Sequence, residues 1–247
     1  MIQISPLVKK FAALTAAALV ACLGGTALRA QDHLETTLKA DIVNQYGWRG
    51  MRLGSFGVQP TLGVAWKGLS LSAWGHTGFV GAENPLELDL TLDYSIGGFH
   101  IGITDYWADT TGENPNYFCY RPAYTGHTFE AAVGYDFGFL SLNWYTNVWG
   151  YDGDALLDGG KRPFSSFAEL AVPFTLAGCD WEACVGAVPF RSDFYGNEGF
   201  SVTHVALTAS REIPISDSFS LPVFASGIAN IPARQAWFVV GITLQAF

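Results

Sequence analysis

Charge is scarce in this sequence: Asp, Glu, Lys and Arg make up 14% of 247 residues, against roughly 25% in soluble domains. A solvated globule is a poor fit to that deficit. Long apolar runs are missing as well. Past residue 30 no uninterrupted stretch reaches the ~18 residues that a membrane helix needs, which excludes a helical bundle in a bilayer. Cysteine is rare, with 4 in the chain. Beyond residue 30 only Cys119, Cys179 and Cys184 remain, and an odd count is no disulfide framework. Cys179 and Cys184 flank a segment that alternates like a strand, and extended chain would hold them ~16 Å apart, beyond the ~4.4–6.8 Å a disulfide spans. No histidine lies close enough to Cys184 for a zinc-ligand spacing, so no metal is expected. Basic residues are few, 13 against 22 acidic, which removes the electrostatic footprint of a nucleic-acid binder.

What is present is hydrophobic and aromatic: 49% and 15% of the chain. That content excludes disorder. The sequence is therefore hydrophobic overall without containing a hydrophobic segment.

Residues 1–30 explain part of this. Lys9 and Lys10 precede an apolar run from Phe11 to Leu23, and small residues lead to Ala30. A basic region, a short apolar core and a small residue before Gln31 form a secretory signal peptide. Leu19-Val20-Ala21-Cys22 also resembles a lipobox, so cleavage after Ala30 and lipidation at Cys22 are both open. Removing residues 1–30 deletes Lys9, Lys10 and Arg29 and no acid, leaving 10 basic and 22 acidic residues, a balance of −12. Residues 31–37 are expected to be a periplasmic tail and 38–247 a single folded domain.

That domain alternates with period two. In 86–96, Leu86, Leu88, Leu90, Leu92, Tyr94 and Ile96 share one face, and Glu87, Asp89, Thr91, Asp93 and Ser95 share the other. A helix would scatter those acids; a strand collects them on one surface. The same pattern predicts strands over 38–49, 58–67, 69–75, 86–96, 99–107, 128–137, 140–149, 166–174, 181–190, 200–212, 219–229 and 236–247, with a phase slip near Thr203-His204. Connections alternate strictly between short turns, such as Lys67-Gly68 and Gly97-Gly98, and longer loops, such as 50–57, 108–127 and 150–165. Membrane barrels sort their connections this way, tight turns at the periplasmic end and long loops outside. Aromatic residues cluster at strand ends, Trp66, Tyr94, Tyr135, Phe137 and Trp181 at the inner rim, and Tyr46, Trp48, Tyr106 and Trp107 at the outer rim, as interfacial belts do. Strands in hydrocarbon must close into a cylinder because every backbone polar group needs a partner. The expected fold is all-β: a closed antiparallel transmembrane barrel of about twelve strands.

The run Ala40-Asp41-Ile42-Val43-Asn44-Gln45-Tyr46-Gly47-Trp48-Arg49-Gly50 resembles the opening strand of the TorF family of porins, conserved outer-membrane barrel proteins. Val58-Gln59-Pro60, Leu71-Ser72-Ala73-Trp74-Gly75, Thr104-Asp105-Tyr106-Trp107 and Phe219-Ser220-Leu221-Pro222-Val223-Phe224 resemble later pieces of the same family, so the likeness covers most of 38–247. It implies a barrel in the outer membrane of a Gram-negative bacterium and a channel function, and it carries over no substrate, cofactor or catalytic residue. The C-terminus partly matches the signal read by the barrel-insertion machinery: Phe247 is the terminal aromatic, and Phe238, Val240, Ile242 and Leu244 alternate before it. Gln245 departs from that pattern, and a bulge is expected between Phe238 and Phe247.

Twelve strands at ~4.8 Å spacing and ~40° tilt give a backbone diameter of about 24 Å, and side chains leave a bore of roughly 10 Å or less. The 108–127 loop is a candidate plug. Residues expected to line the lumen are Lys39, Asp41, Gln45, Arg49, Glu87, Asp89, Asp93, Glu130, Asp136 and Glu169. Acids outnumber bases there, which favours cations. The leading reading is a narrow, cation-preferring passive channel for small polar solutes or ions, in contact with membrane lipid, with no cofactor, metal or nucleic-acid partner. A non-conducting adhesion barrel is the alternative, and Asp152-Gly153-Asp154 with Asp158 faintly resembles a calcium loop without EF-hand spacing. An outer-membrane lipid hydrolase ranks last: His33, His76, His100, His127 and His204 sit in no recognisable nucleophile motif.

Overall fold

The computed structural model describes residues 33–79, 86–109, 116–121, 125–150, 163–217 and 219–246. The segments assigned to the signal peptide, to lipidation at Cys22 and to the acidic Asp152–Asp158 turn, together with Phe247, lie outside the described residues. The elements in chain order are β1 (Glu35–Val43), β2 (Tyr46–Trp48), β3 (Met51–Gly54), β4 (Gly57–Trp66), β5 (Leu69–Gly78), β6 (Leu86–Ile96), β7 (Phe99–Asp109), β8 (His127–Asp136), β9 (Ser141–Gly150), β10 (Ser166–Leu176), β11 (Cys179–Val188), β12 (Ser201–Ser216), β13 (Phe219–Asn230) and β14 (Gln235–Gln245).

Twelve of these close a barrel in the order β1-β14-β13-β12-β11-β10-β9-β8-β7-β6-β5-β4, every neighbour antiparallel; β2 and β3 form a separate hairpin. The β6–β7 ladder runs from Leu86 opposite Asp109 to Ile96 opposite Phe99. The seam is shorter, with Lys39 to Val43 facing Gln245 to Gly241. β1 begins at Glu35, inside the stretch expected to be a tail, and ends at Val43 rather than continuing to Arg49.

The side-chain pattern is inside-out relative to a soluble sandwich. Alternate residues present Leu71, Leu92, Ile101, Val133, Leu142, Val185, Leu207 and Phe238 on the outer wall, each at least 40% exposed, from Val133 at 40% to Phe238 at 71%. Their neighbours along the same strands are polar and buried, including Asp41, Gln59, Thr61, Asp89, Glu130 and Asn147. A monomer in water exposes apolar patches of only a few hundred Å²; an apolar wall around the whole circumference is stable against hydrocarbon. The barrel is a transmembrane one.

Short connections gather at one end. Lys67-Gly68, Gly97-Gly98 and Ala177-Gly178 all carry positive φ, the two-residue turn whose twist matches the flanking strands. At that rim Trp66, Tyr94, Phe99, Tyr135, Phe137 and Phe219 point outward as a belt. The opposite rim departs from expectation. Tyr46 and Trp48 face the lumen, because the chain turns inward after Val43, and Tyr106 also points inward. At the expected phase slip, Gly186 faces His204 but Ala187 faces Val202, so Thr203 is an extra, bulged residue. Of the stretch from Phe238 to Phe247 where a bulge is expected, the ladders of β14 show no register shift as far as Gln245, and Phe247 lies outside the described residues.

Part of the interior is apolar. Val43, Ala171, Cys184, Ala206, Ile228 and Val239 form a cluster with Phe224 and Trp237, on the half of the wall built by β10 to β14 and β1. Cys179 and Cys184 lie on β11, five positions apart in extended chain, with no disulfide between them.

Candidate functional site at the barrel mouth

The loop between β1 and β4 folds into the bore. Asn44 and Gln45 leave the barrel wall, and the two-residue loop Arg49-Gly50 joins β2 to β3. Arg49 has φ 46° and Gly50 φ 78°, the type I′ geometry. The tip is thus the same tight turn as Lys67-Gly68, and what fixes where it sits is its neighbours.

Those neighbours come from around the barrel. Tyr46 packs on Trp74 and His76 of β5, with ring centroids 5.3 and 4.8 Å away. Trp48 meets Tyr106 of β7 edge-on. The Gly47 backbone lies against Trp237, Ile228 and Val239; a Cβ there would sit 3.0 Å from the indole nitrogen. The Gly50 backbone lies on β12, and Asn230 Nδ2 of β13 donates to its carbonyl at 2.9 Å. The hairpin therefore bridges the lumen and obstructs it.

Arg49 is the centre of this arrangement. Its guanidinium donates to both oxygens of Glu130 on β8, at 2.5 and 2.8 Å, and to the Tyr195 hydroxyl at 2.8 Å. Tyr106 donates to the same carboxylate at 2.9 Å. The guanidinium carbon lies 4.0 Å from the ring centre of Tyr145, 4.4 Å from Trp48 and 4.9 Å from Phe167. Forked ion pairing and stacking on aromatic faces are the two things a guanidinium does better than an ammonium.

The loop after β11 completes the closure. Tyr195 stacks against Trp48 and Phe194 meets it edge-on, and Ser192 is fixed by the Ser165 hydroxyl at 2.8 Å. The described parts of the 108–127 connection lie elsewhere. Tyr117 and Tyr120 cover His127 on the outer wall, where Nδ1 of His127 meets Asp105 at 2.8 Å and Nε2 meets the Tyr117 carbonyl at 2.5 Å. Burial pushes the Tyr117 phenol up to about 12, so this cover stays neutral. The described obstruction is the β2–β3 hairpin; residues 110–115 and 122–124 of the connection expected to plug the bore lie outside the described residues.

The expected lumen residues occupy several distinct settings. Lys39 and Asp41 project inward from β1 and pair at 3.3 Å, and Thr243 donates to Asp41 at 2.5 Å. Gln45 is not on a strand; its amide donates to the Phe238 carbonyl of β14. Arg49 is on the in-turned hairpin. Glu87, Asp89 and Asp93 line the inner face of β6: Glu87 bonds Tyr46, Asp89 is buried, and Asp93 accepts from Ser95 at 2.9 Å nearer the short turns. Asp136 accepts the Gly138 N–H at the turn end, and Asn143 donates to Glu169 at 3.4 Å. Sequence reasoning missed Tyr106, Tyr145, Phe167, Tyr195 and Glu182. Tyr145 was readable from the parity of Asn143 and Asn147 on β9, whereas the loop residue Tyr195 has no such signal.

No family model matches the chain, and no curated protein matches it. Among solved structures that match, a multiple-site mutant of the Rh. blastica porin aligns with 87% of this chain and 100% of that chain, at 11% identity and a TM-score of 0.36.

Proposed function

We propose that this chain is an outer-membrane channel of the porin type, of the TorF-like kind, with a narrow cation-preferring pathway for small polar solutes or ions. On this reading a signal peptide exports it, and the terminal strand ending at Phe247 presents it to the barrel-insertion machinery. The long-loop end faces outward, and the β2–β3 hairpin sets the resting state of the mouth.

The observation that carries this reading is the charge balance of the inner wall. Among the described residues, Lys39 of β1 and Arg49 of the hairpin are each matched by a carboxylate, Asp41 and Glu130, and Arg52 of β3 is exposed. The remaining inward acids, Glu87, Asp89, Asp93, Asp136, Glu169 and Glu182, set the sign of the field along the bore. In a confined, weakly screened passage, that field concentrates cations and repels anions.

Reconstitution into planar bilayers under a KCl gradient tests it. The reversal potential should report cation preference, and E87Q, D89N and D93N together should move it toward zero. A barrel that inserts with native sheet content and never conducts, or one that selects anions, would overturn the channel reading while leaving the fold intact.

A further inference from the structure

We propose that the wall around Arg49 is a recognition site for planar organic cations of the guanidinium class, and that Arg49 occupies it as a built-in ligand in the resting state. The proposal deepens the channel reading by naming a solute class, and rests on that reading only for the permeation measurement.

The walls supply a complete set of partners without the hairpin. Glu130 of β8 offers two oxygens in a fork, oriented by the Tyr106 hydroxyl of β7. Tyr195 offers a hydroxyl oxygen at 2.8 Å. Tyr145 of β9 and Phe167 of β10 offer two ring faces. A spherical alkali ion can approach a ring face and an oxygen, but it has no pair of N–H donors to fill the carboxylate fork and no plane to lie flat between two rings. A guanidinium uses every partner at once.

Two further features separate this site from an ordinary structural ion pair. The ligand is delivered by the tip of a short hairpin that lies outside the barrel's own ladders. And Glu130 shares its side of the bore with the acids of β6: Asp89 lies opposite Tyr106, whose hydroxyl donates to Glu130, and Glu87 is two residues along. With Arg49 withdrawn, this side would hold three acidic side chains, an attractor for an entering cation. An incoming guanidinium can take Arg49's place, and the hairpin then has no ionic anchor at the mouth. Solute binding and mouth opening are thereby one exchange.

The test uses methylguanidinium, with tetramethylammonium as a cation of similar charge that is neither planar nor a donor. Calorimetric titration of the full-length R49A barrel in detergent should show methylguanidinium binding, with affinity about tenfold or more above tetramethylammonium, as a forked charge-assisted contact requires. R49A/E130Q should lose that preference. In bilayers the unsubstituted protein should pass methylguanidinium more readily than tetramethylammonium, and E130Q should reduce the ratio. Equal binding of the two ions by R49A, or preference unaffected by E130Q, would overturn the proposal. Should R49A fail to fold, equal permeation of the two ions through the unsubstituted protein overturns it instead. A barrel that binds methylguanidinium selectively but never conducts sinks the channel and keeps the site; one that conducts and shows no preference does the reverse.

Discussion

A single methyl group at Gly50 is expected to unseat the hairpin and open the mouth. The position leaves no room for it: an ideal Cβ would lie 1.8 Å from the Thr203 carbonyl oxygen and 2.8 Å from its carbon. Both are backbone atoms of a ladder strand, so they cannot swing aside as the end of a side chain would. Gly50 also has φ 78°, where an L-residue costs about 1–2 kcal/mol. Moving the tip to relieve the clash gives up the Asn230 bond to the Gly50 carbonyl, worth about 0.5–1.5 kcal/mol net. It also pulls Arg49 from the forked geometry on Glu130. The Asn230 bond is lost on undocking in parent and variant alike, so the difference comes from the overlap in the docked form; overpacking of this kind costs about 1–3 kcal/mol, which shifts the docked-to-undocked ratio by roughly fivefold to a hundredfold. The barrel itself should survive, because β2 and β3 contribute no ladder to it. G50A should therefore raise single-channel conductance and speed amide exchange across residues 46–54, with unchanged sheet circular dichroism and unchanged gel mobility shift on heating. G50A that exchanges and conducts like the parent would show that the tip is not seated against β12, and the argument for an obstructing hairpin would fail.

Two other substitutions probe the outer wall. Leu90 sits at the middle of β6 on the outward face, 38% exposed, so L90R should lower folding stability in lipid vesicles by about 2–4 kcal/mol in a urea titration. T91R, one residue along and facing the lumen, should cost much less. H127A removes the ring that anchors Tyr117 and stacks under Tyr120. A lost bond of this kind, worth about 1.5 kcal/mol or more, should raise the labelling rate of Cys119 by maleimide about tenfold, read by site-resolved mass spectrometry. An unchanged rate would mean that the residues around Cys119 are held by something other than His127.

The strands were legible because the bilayer imposes a strict rule on every one of them. Along β6 the rule never lapses, and Leu86 to Ile96 are both the expected and the observed bounds. The irregular alternation at Thr203-His204 likewise corresponds to a real bulge. The hairpin was not legible, for a physical reason. Residues 38–49 keep an approximate alternation, and no proline or glycine marks the exit at Asn44. What stops β1 there is a partner far along the chain: Asn44 Oδ1 accepts from Val240 N–H at 2.8 Å and its Nδ2 donates to the Phe238 carbonyl at 3.2 Å. Local pattern cannot report a contact of that range. The Arg49-Gly50 pair was the one local clue, a two-residue loop with glycine at its second position.

The same amide explains how a barrel tolerates losing part of a wall strand. When β1 departs at Val43, the upper part of β14 loses its ladder partner, and unpaired backbone groups beside lipid are costly. Asn44 bonds one N–H and one carbonyl of β14, and Gln45 donates to the same carbonyl, so two side chains stand in for a stretch of strand. These bonds remain in place wherever the tip beyond them sits. Opening the mouth therefore requires no unzipping of the seam, because the movable part begins at Tyr46 and the closure of the barrel ends at Gln45. A channel built this way can exchange Arg49 for a solute without exposing a sheet edge to the membrane.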